Sequence, residues 1–184
     1  MIKNFETFYI NDEKYIELLK KNIYEGVNEK SNFSYKTNVK AKMTSYWYFI
    51  NEKPKSLKKL KSLLNNYNIT ESWGNLYSKG DYTLPHNHNN LDITLKNYDV
   101  SGVLYLTNSK TGTYFNDLNI EIKAEKGKVI LFNPNLLHSV TQIQEDKRIT
   151  LSFNGFKKDI NRIKQKQRWI NYEWSKTRQN NNWW

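Results

Sequence analysis

The chain has 184 residues, 29 lysines and arginines against 18 aspartates and glutamates, a net charge of +11 and no cysteine. The absence of cysteine excludes disulfide scaffolds, thiolate zinc sites and cysteine nucleophiles. No apolar run is long enough to span a membrane, and the N-terminus has no hydrophobic signal core. The sequence therefore predicts a cytoplasmic protein with no membrane partner.

The positive charge is too general a property to name a partner. Only four of the 29 basic residues are arginines, and asparagine accompanies the many lysines, as the codon bias of an AT-rich genome would produce. A basic surface also favours acidic partners such as nucleic acid. Composition alone leaves this question open.

The N-terminal part of the chain predicts a strand followed by helices. Residues 2–10 alternate loosely between apolar and polar side chains, and Asn11 or Asp12 can cap a helix that runs to about Glu29. A second helix is expected to begin at Pro54. The apolar residues of each helix fall on one face: Ile16, Leu19, Ile23 and Val27 in the first, and Leu57, Leu60 and Leu64 in the second.

Residues 71–156 are rich in short β-prone runs separated by turn residues. Seven runs occur at the spacing typical of a sandwich or barrel: 72–77, 82–88, 100–107, 120–123, 128–133, 136–143 and 148–154. The chain is therefore predicted to be mainly β with flanking helices, in a single domain over 1–184. Residues 1–70 supply the N-terminal strand and helices, and 157–184 form a basic, aromatic C-terminal helix and tail.

Three histidines are the best candidates for metal chemistry. His86 and His88 lie two positions apart in a β-prone run, so their side chains point to the same side of a strand. His138 follows another β-prone run and a turn, and a neighbouring strand can bring it to the same point. Neutral imidazoles are common ligands for iron, zinc, copper and nickel. We therefore expect a metal site at His86, His88 and His138.

Arg148 is a candidate for binding a carboxylate. It begins a run in which Ile149, Leu151 and Phe153 alternate with Arg148, Thr150 and Ser152, so that one face is polar and led by arginine. A guanidinium can hold a carboxylate by two parallel hydrogen bonds, and Thr150 can add a hydroxyl. Tyr77 shares a strand face with Trp73 and Asn75 and can offer a third donor. The alternative is a surface ion pair between Arg148 and Glu145 or Asp146.

A series of motifs connects these residues with a known family. The motifs are WGN at 73–75, GD at 80–81, HNH at 86–88, SGVLYL at 101–106, Gly127 with Phe132 and Pro134, LLHSV at 136–140, and RITLSFN at 148–154. In this order they resemble the Fe(II)/2-oxoglutarate-dependent oxygenases of the double-stranded β-helix superfamily. More narrowly, they resemble a subgroup with an HxH motif that is found in marine bacteria and phages. The resemblance covers nearly half of the chain and implies a double-stranded β-helix core, a jelly roll of the cupin type.

The resemblance also implies roles for individual residues. His86 corresponds to the first iron ligand and His138 to the distal one. Arg148 corresponds to the arginine that pairs with the far carboxylate of 2-oxoglutarate, and Thr150 to a hydroxyl often found two residues later. Tyr77 lies where related prolyl-hydroxylase-like enzymes have a tyrosine that touches the same carboxylate.

His88 is the departure from the superfamily pattern, because it occupies the position of the usual carboxylate ligand. A site with two histidines and one carboxylate leaves three positions for 2-oxoglutarate and oxygen. Ligation by His88 keeps that geometry and adds one unit of positive charge, and we favour this arrangement. The alternatives are that water, a halide or a loop carboxylate, Asp92 or Asp99, takes the position.

The function implied by the resemblance is that of an Fe(II)- and 2-oxoglutarate-dependent dioxygenase. Such an enzyme uses O2 and 2-oxoglutarate, hydroxylates a substrate, and releases succinate and CO2. The sequence does not specify the substrate, since specificity lies in loops such as 89–99, and it does not specify the oligomeric state.

Two other functions stay open from the sequence. A three-histidine, cupin-like metal enzyme that does not use 2-oxoglutarate would keep the histidines but would not need Arg148 to face the metal. A non-catalytic nucleic-acid-binding module would use the basic, aromatic segment 157–178, although packing of that segment on the barrel is favoured.

Overall fold

The computed structural model describes residues 5–28, 38–89, 98–145 and 147–159. Eleven strands occur in these ranges: β1 Phe5–Tyr9, β2 Val39–Lys40, β3 Lys42–Met43, β4 Tyr67–Tyr77, β5 Tyr82–His86, β6 Val100–Tyr105, β7 Ser109–Phe115, β8 Ile120–Ala124, β9 Lys128–Phe132, β10 His138–Val140 and β11 Arg148–Lys157. The helices are α1 Glu13–Asn28, α2 Tyr48–Asn51 and α3 Lys58–Leu63, with a 3-10 turn at Pro54–Leu57. None of these helices is long and apolar enough to cross a membrane.

The strands form two antiparallel sheets. The six-stranded sheet has the order β1-β9-β6-β11-β4-β3, and the five-stranded sheet has the order β2-β5-β10-β7-β8. From β4 to β11, consecutive strands alternate between the two sheets, except for the neighbouring pair β7 and β8. Most hydrogen-bonded neighbours are therefore distant in sequence, as in a jelly roll. The prediction of a mainly β chain with a double-stranded β-helix core and flanking helices is confirmed.

The helices cover the outer face of the six-stranded sheet. Asp12 begins α1 by accepting a hydrogen bond from the Tyr15 backbone N–H at 3.0 Å, as predicted for an N-cap. Apolar residues of α1 and α3 then pack with Leu104, Ile149 and Leu151 in one cluster. A second cluster, which contains Val103, Phe115 and Phe132, lies between the two sheets. The apolar faces predicted for both helices are confirmed, with Val27 only partly buried.

Several strands differ from the prediction. β7 was not predicted, because its polar sequence SKTGTYF lacks the alternation of a half-buried strand, whereas its Thr111 and Thr113 are buried. β4 begins at Tyr67 instead of residue 72, since β11 is long enough to pair with its whole length. β11 continues through Lys157, the first residue of the predicted C-terminal helix and tail, while residues 160–184 lie outside the described ranges.

Candidate metal and anion site

Strand pairing brings two of the predicted metal-binding residues together. His138 of β10 lies directly opposite His86 of β5 in the antiparallel register. Side chains opposite each other on antiparallel strands project to the same side of the sheet. The two imidazole ring centroids are therefore 4.4 Å apart, although 52 residues separate them in the sequence.

His88 reaches the same point from the segment that follows β5. Its backbone N–H donates to the Pro134 carbonyl at 2.9 Å, which ties this segment to the turn before β10. The Nε2 atoms of His88 and His138 are 3.2 Å apart. One candidate ligand atom from each of the three histidines lies within 4.8 Å of the others, which is close enough to share a metal ion. The structure thus brings together all three predicted residues.

Burial keeps the three imidazoles neutral at neutral pH. Desolvation lowers the pKa of His138 to about 3, with repulsion from His86 as a further cause. Desolvation also lowers the pKa of His86 and lowers that of His88 still further, where His138 and His86 add repulsion. A neutral imidazole has a free lone pair, and metal binding requires one. The donor chemistry of the cluster therefore fits a transition-metal ion.

Arg148 enters the same cavity from β11 and is only 1% exposed. Its Nε donates to the Thr111 carbonyl at 3.2 Å, and an Nη donates to the Gly112 carbonyl at 3.3 Å and to Thr113 Oγ1 at 3.4 Å. The guanidinium also lies over the Tyr77 ring, 4.8 Å from its centroid. Within the described ranges, no carboxylate is within ion-pair distance of Arg148, and Glu145 instead accepts a hydrogen bond from the Lys110 backbone.

The charge of Arg148 is therefore held in the interior by neutral acceptors and aromatic faces. An ion taken out of water without a counter-ion is costly, and a bound anion would reduce that cost. The surface ion pair with Glu145 that the sequence left open does not occur, and Asp146 lies outside the described residues. The environment of Arg148 fits an anionic ligand such as a carboxylate.

Thr150 and Tyr77 also line this cavity. Thr150 Oγ1 accepts a hydrogen bond from Asn75 Nδ2 at 3.2 Å, and the Tyr77 hydroxyl pairs with Thr83 Oγ1 at 2.8 Å. Thr150 lies opposite Asn75 in the register of β11 and β4, and Arg148 lies opposite Tyr77. The predicted polar face of β11 and its partner face on β4 are therefore assembled side by side.

The cavity lies between the two sheets and is partly open to solvent. All three histidines line this cavity, and so do Arg148 and Thr150. The candidate metal ligands and the candidate anion-binding residues therefore line the same cavity.

The alternative carboxylate ligands receive no support from the described residues. The Asp99 carboxylate accepts a hydrogen bond from the Lys157 backbone N–H at 2.8 Å and is not among the clustered ligand atoms. Asp92 lies outside the described ranges.

Sequence reasoning missed a polar network behind His88. Asn154 is buried and its Nδ2 lies 3.2 Å from His88 Nδ1 and 3.2 Å from Glu71 Oε2. The Ser101 hydroxyl donates to Asn154 Oδ1 at 2.8 Å. The pairing of Asn154 with Ser101 on β11 and β6 was not readable from the sequence, but the period-two pattern of β11 extends to Asn154 and could have placed it on the polar face.

Comparisons with known proteins add information about the fold. No protein-family model and no curated protein matches the chain. Among solved structures, the viral collagen prolyl hydroxylase from Paramecium Bursaria Chlorella virus-1, solved with 2-oxoglutarate, is 20% identical with a TM-score of 0.61 over 84% of this chain and 97% of that chain.

The chain has the jelly-roll fold of 2-oxoglutarate oxygenases. HygX from Streptomyces hygroscopicus, solved with nickel and 2-oxoglutarate, is 14% identical, with a TM-score of 0.61 over 85% of this chain and 83% of that chain. A Trichoplax adhaerens prolyl hydroxylase, solved with a hypoxia-inducible-factor peptide, is 17% identical, with a TM-score of 0.60 over 84% of each chain. The fold implied by the sequence motifs is confirmed.

Proposed function

We propose that this protein is an Fe(II)- and 2-oxoglutarate-dependent oxygenase that hydroxylates a substrate and releases succinate and CO2. His86 and His138 hold the iron, and the imidazole of His88 lies in the same cluster. Arg148 binds the distal carboxylate of 2-oxoglutarate, with Thr150 beside it. When bound, iron and 2-oxoglutarate supply the activation of O2 and the two electrons that hydroxylation requires.

The observation that carries the proposal is the buried charge of Arg148 in the cavity that also contains the histidines. A metal site explains the three imidazoles but gives no reason to bury a guanidinium whose described partners are all neutral. A co-substrate that is a 2-oxo acid at one end and a carboxylate at the other explains both features. The cupin-like alternative explains only the first.

The residues of the chain bind and orient the two cofactors and limit the access of water. The rings of Phe132 and Phe115 pack beside His138, with centroids 4.7 and 6.2 Å from it, and give the metal side of the cavity an apolar wall. Tyr77 and Tyr105 flank the guanidinium of Arg148, with centroids 4.8 and 5.4 Å from its central carbon. Such walls strengthen electrostatic interactions between the site and an anionic ligand.

The direct test is anaerobic reconstitution with Fe(II), followed by titration with 2-oxoglutarate. Chelation of the iron by the 2-oxo acid is expected to give a metal-to-ligand charge-transfer band, and admission of O2 is expected to release succinate. Metal binding without such a band would refute the use of 2-oxoglutarate and favour the cupin-like alternative. Succinate release also tests turnover before the substrate is known.

A further inference from the structure

Two of the three histidines have the same hydrogen bond at Nδ1. His86 Nδ1 lies 2.9 Å from the Leu84 carbonyl, and His138 Nδ1 lies 3.0 Å from the Leu136 carbonyl. A carbonyl oxygen only accepts, so each of these Nδ1 atoms carries the proton of its neutral ring. Nε2 of both rings is then a bare lone pair, as metal binding requires.

His88 is held differently. Its Nδ1 faces the side-chain amide of Asn154, whose nitrogen lies 3.2 Å away. An amide NH2 only donates, so in this contact His88 Nδ1 accepts and the proton of the neutral ring is on Nε2. The Nε2–H group then points at the bare Nε2 of His138, 3.2 Å away.

Glu71 decides which end of the Asn154 amide faces His88. An amide could turn over, and the Ser101 hydroxyl would serve either orientation because it can donate or accept. The Glu71 carboxylate serves only one orientation, because it only accepts hydrogen bonds. Its Oε2 lies 3.2 Å from Asn154 Nδ2, so the NH2 end of the amide faces both Glu71 and His88. The pKa of Tyr98 is raised by desolvation and then by its side-chain hydrogen bond to the Glu71 carboxylate. Glu71 is thus an acceptor toward both neighbours.

From these contacts we infer that Glu71 and Asn154 are positioning residues that fix His88 in the Nε2–H tautomer, so that His88 donates a hydrogen bond beside the metal instead of ligating it. The assignment of the metal position rests on the proposed function, whereas the tautomer itself does not. The sequence-based preference was for His88 as a ligand. That preference is replaced by a centre of two ligating histidines, His86 and His138. The position of a third protein ligand would then be left to water, which could accept a hydrogen bond from His88 Nε2–H.

The decisive experiment measures the tautomer in the metal-free, full-length protein. Long-range proton–nitrogen correlation spectra of 15N-labelled histidine rings distinguish the two neutral tautomers, and single substitutions assign the three rings. His86 and His138 are expected as Nδ1–H and His88 as Nε2–H. Observation of His88 as Nδ1–H would overturn the inference. Neither metal nor 2-oxoglutarate is present, so this result is independent of the proposed function.

A charge-conserving pair of substitutions tests the role of Glu71 and Asn154. In the double variant Glu71→Gln/Asn154→Asp the donor and the acceptor exchange places, while shape and net charge are kept. The carboxylate introduced at position 154 can only accept, so His88 should switch to Nδ1–H and become a third ligand. The affinity for Co(II) alone should then rise about 10- to 100-fold, the usual scale for residues that orient a metal ligand.

The matched control is Ser101→Ala, which removes the hydroxyl that serves either amide orientation and should leave the tautomer of His88 unchanged. An unchanged Nε2–H tautomer in the folded double variant would refute the role of Glu71 and Asn154. Should the double variant fail to fold, the spectrum of the unsubstituted protein still decides the tautomer. His88→Ala gives a second measurement: it should change Co(II) affinity by less than about tenfold, whereas His86→Ala should abolish tight binding.

Discussion

The two sheets contribute opposite kinds of chemistry to one cavity. The five-stranded sheet supplies His86 and His138 from short strands, one of them with a register shift beside His138. The six-stranded sheet supplies Arg148 from a ten-residue strand with two hydrogen-bonded neighbours. The metal-binding groups are neutral, whereas the group on the helix-backed sheet carries a full charge. The buried charge, which is costly, therefore lies on the longer strand, in the sheet that is also backed by helices.

The first prediction compares the same substitution in each sheet. Leu104 of β6 is fully buried under the helices, whereas Leu84 of β5 is 45% exposed. Leu104→Ala should lower the free energy of unfolding by about 2–5 kcal/mol, because it removes a buried side chain and leaves a cavity. Leu84→Ala should cost about 0.5 kcal/mol or less. Urea denaturation of both variants checks this, and equal losses would contradict the contrast between the sheets.

The second prediction separates the two ends of the cavity. Arg148→Ala should weaken 2-oxoglutarate binding by about 2–4 kcal/mol, roughly 30- to 1,000-fold, because the distal carboxylate loses its charged partner. Metal affinity should stay the same, since the histidines are on the other sheet. Titration of the Fe(II)-loaded protein under nitrogen measures the first quantity, and Co(II) binding measures the second.

Arg148→Lys is the matched control for this prediction. It keeps the charge and loses the planar fork, so 2-oxoglutarate affinity should fall between those of the original protein and Arg148→Ala. An unchanged affinity in Arg148→Ala would remove the reason for assigning a carboxylate-binding role to this arginine.

The sequence predicted the candidate residues of the cavity but not the surroundings of Arg148, and the reason is physical. The spacing of His86 and His88 is a local pattern, and so is the period-two alternation that put Arg148 and Thr150 on one face of their strand and Tyr77 on the same face as Asn75 of another. The environment of Arg148 is not local, because its three hydrogen-bond acceptors belong to β7. That strand has a polar sequence whose burial depends on the other sheet, so no alternation revealed it.

The same reasoning explains why the network behind His88 was missed. Glu71, Ser101 and Asn154 come from β4, β6 and β11, and only the pairing of these strands brings them together. Each of the three is an ordinary polar residue in its own segment. The sequence could identify candidate ligands, but the orientation of an amide beside one of them required the register of three strands.

The third prediction concerns the pH dependence of the metal-free protein. The pKa of His138 is about 3 in the folded chain and about 6.5 when unfolded. The unfolded state therefore binds more protons below pH 6.5, and stability is fully present above that pH and is lost as the pH falls toward 3. His138 alone should account for a loss of about 2 kcal/mol between pH 7 and pH 5.

Denaturant titrations at the two pH values, with a chelator present, measure this loss. The control is His138→Asn, which cannot titrate and should reduce the pH dependence by about the same 2 kcal/mol. A pH dependence that is the same in both proteins would show that His138 is not held neutral by burial.

The smallest expected effect distinguishes a hydroxyl that contacts the ligand from one that only supports the sheet. Thr150→Val keeps the shape of the side chain but removes an oxygen that lies in the cavity and accepts from Asn75. A lost hydrogen bond of this kind is worth about 0.5–1.5 kcal/mol, so 2-oxoglutarate affinity should fall about 3- to 10-fold. Thr7→Val on the exposed side of β1 is the matched control and should leave the affinity unchanged. If Thr150→Val lowered stability by this amount while 2-oxoglutarate affinity stayed constant, Thr150 would orient Asn75 and would not bind the co-substrate.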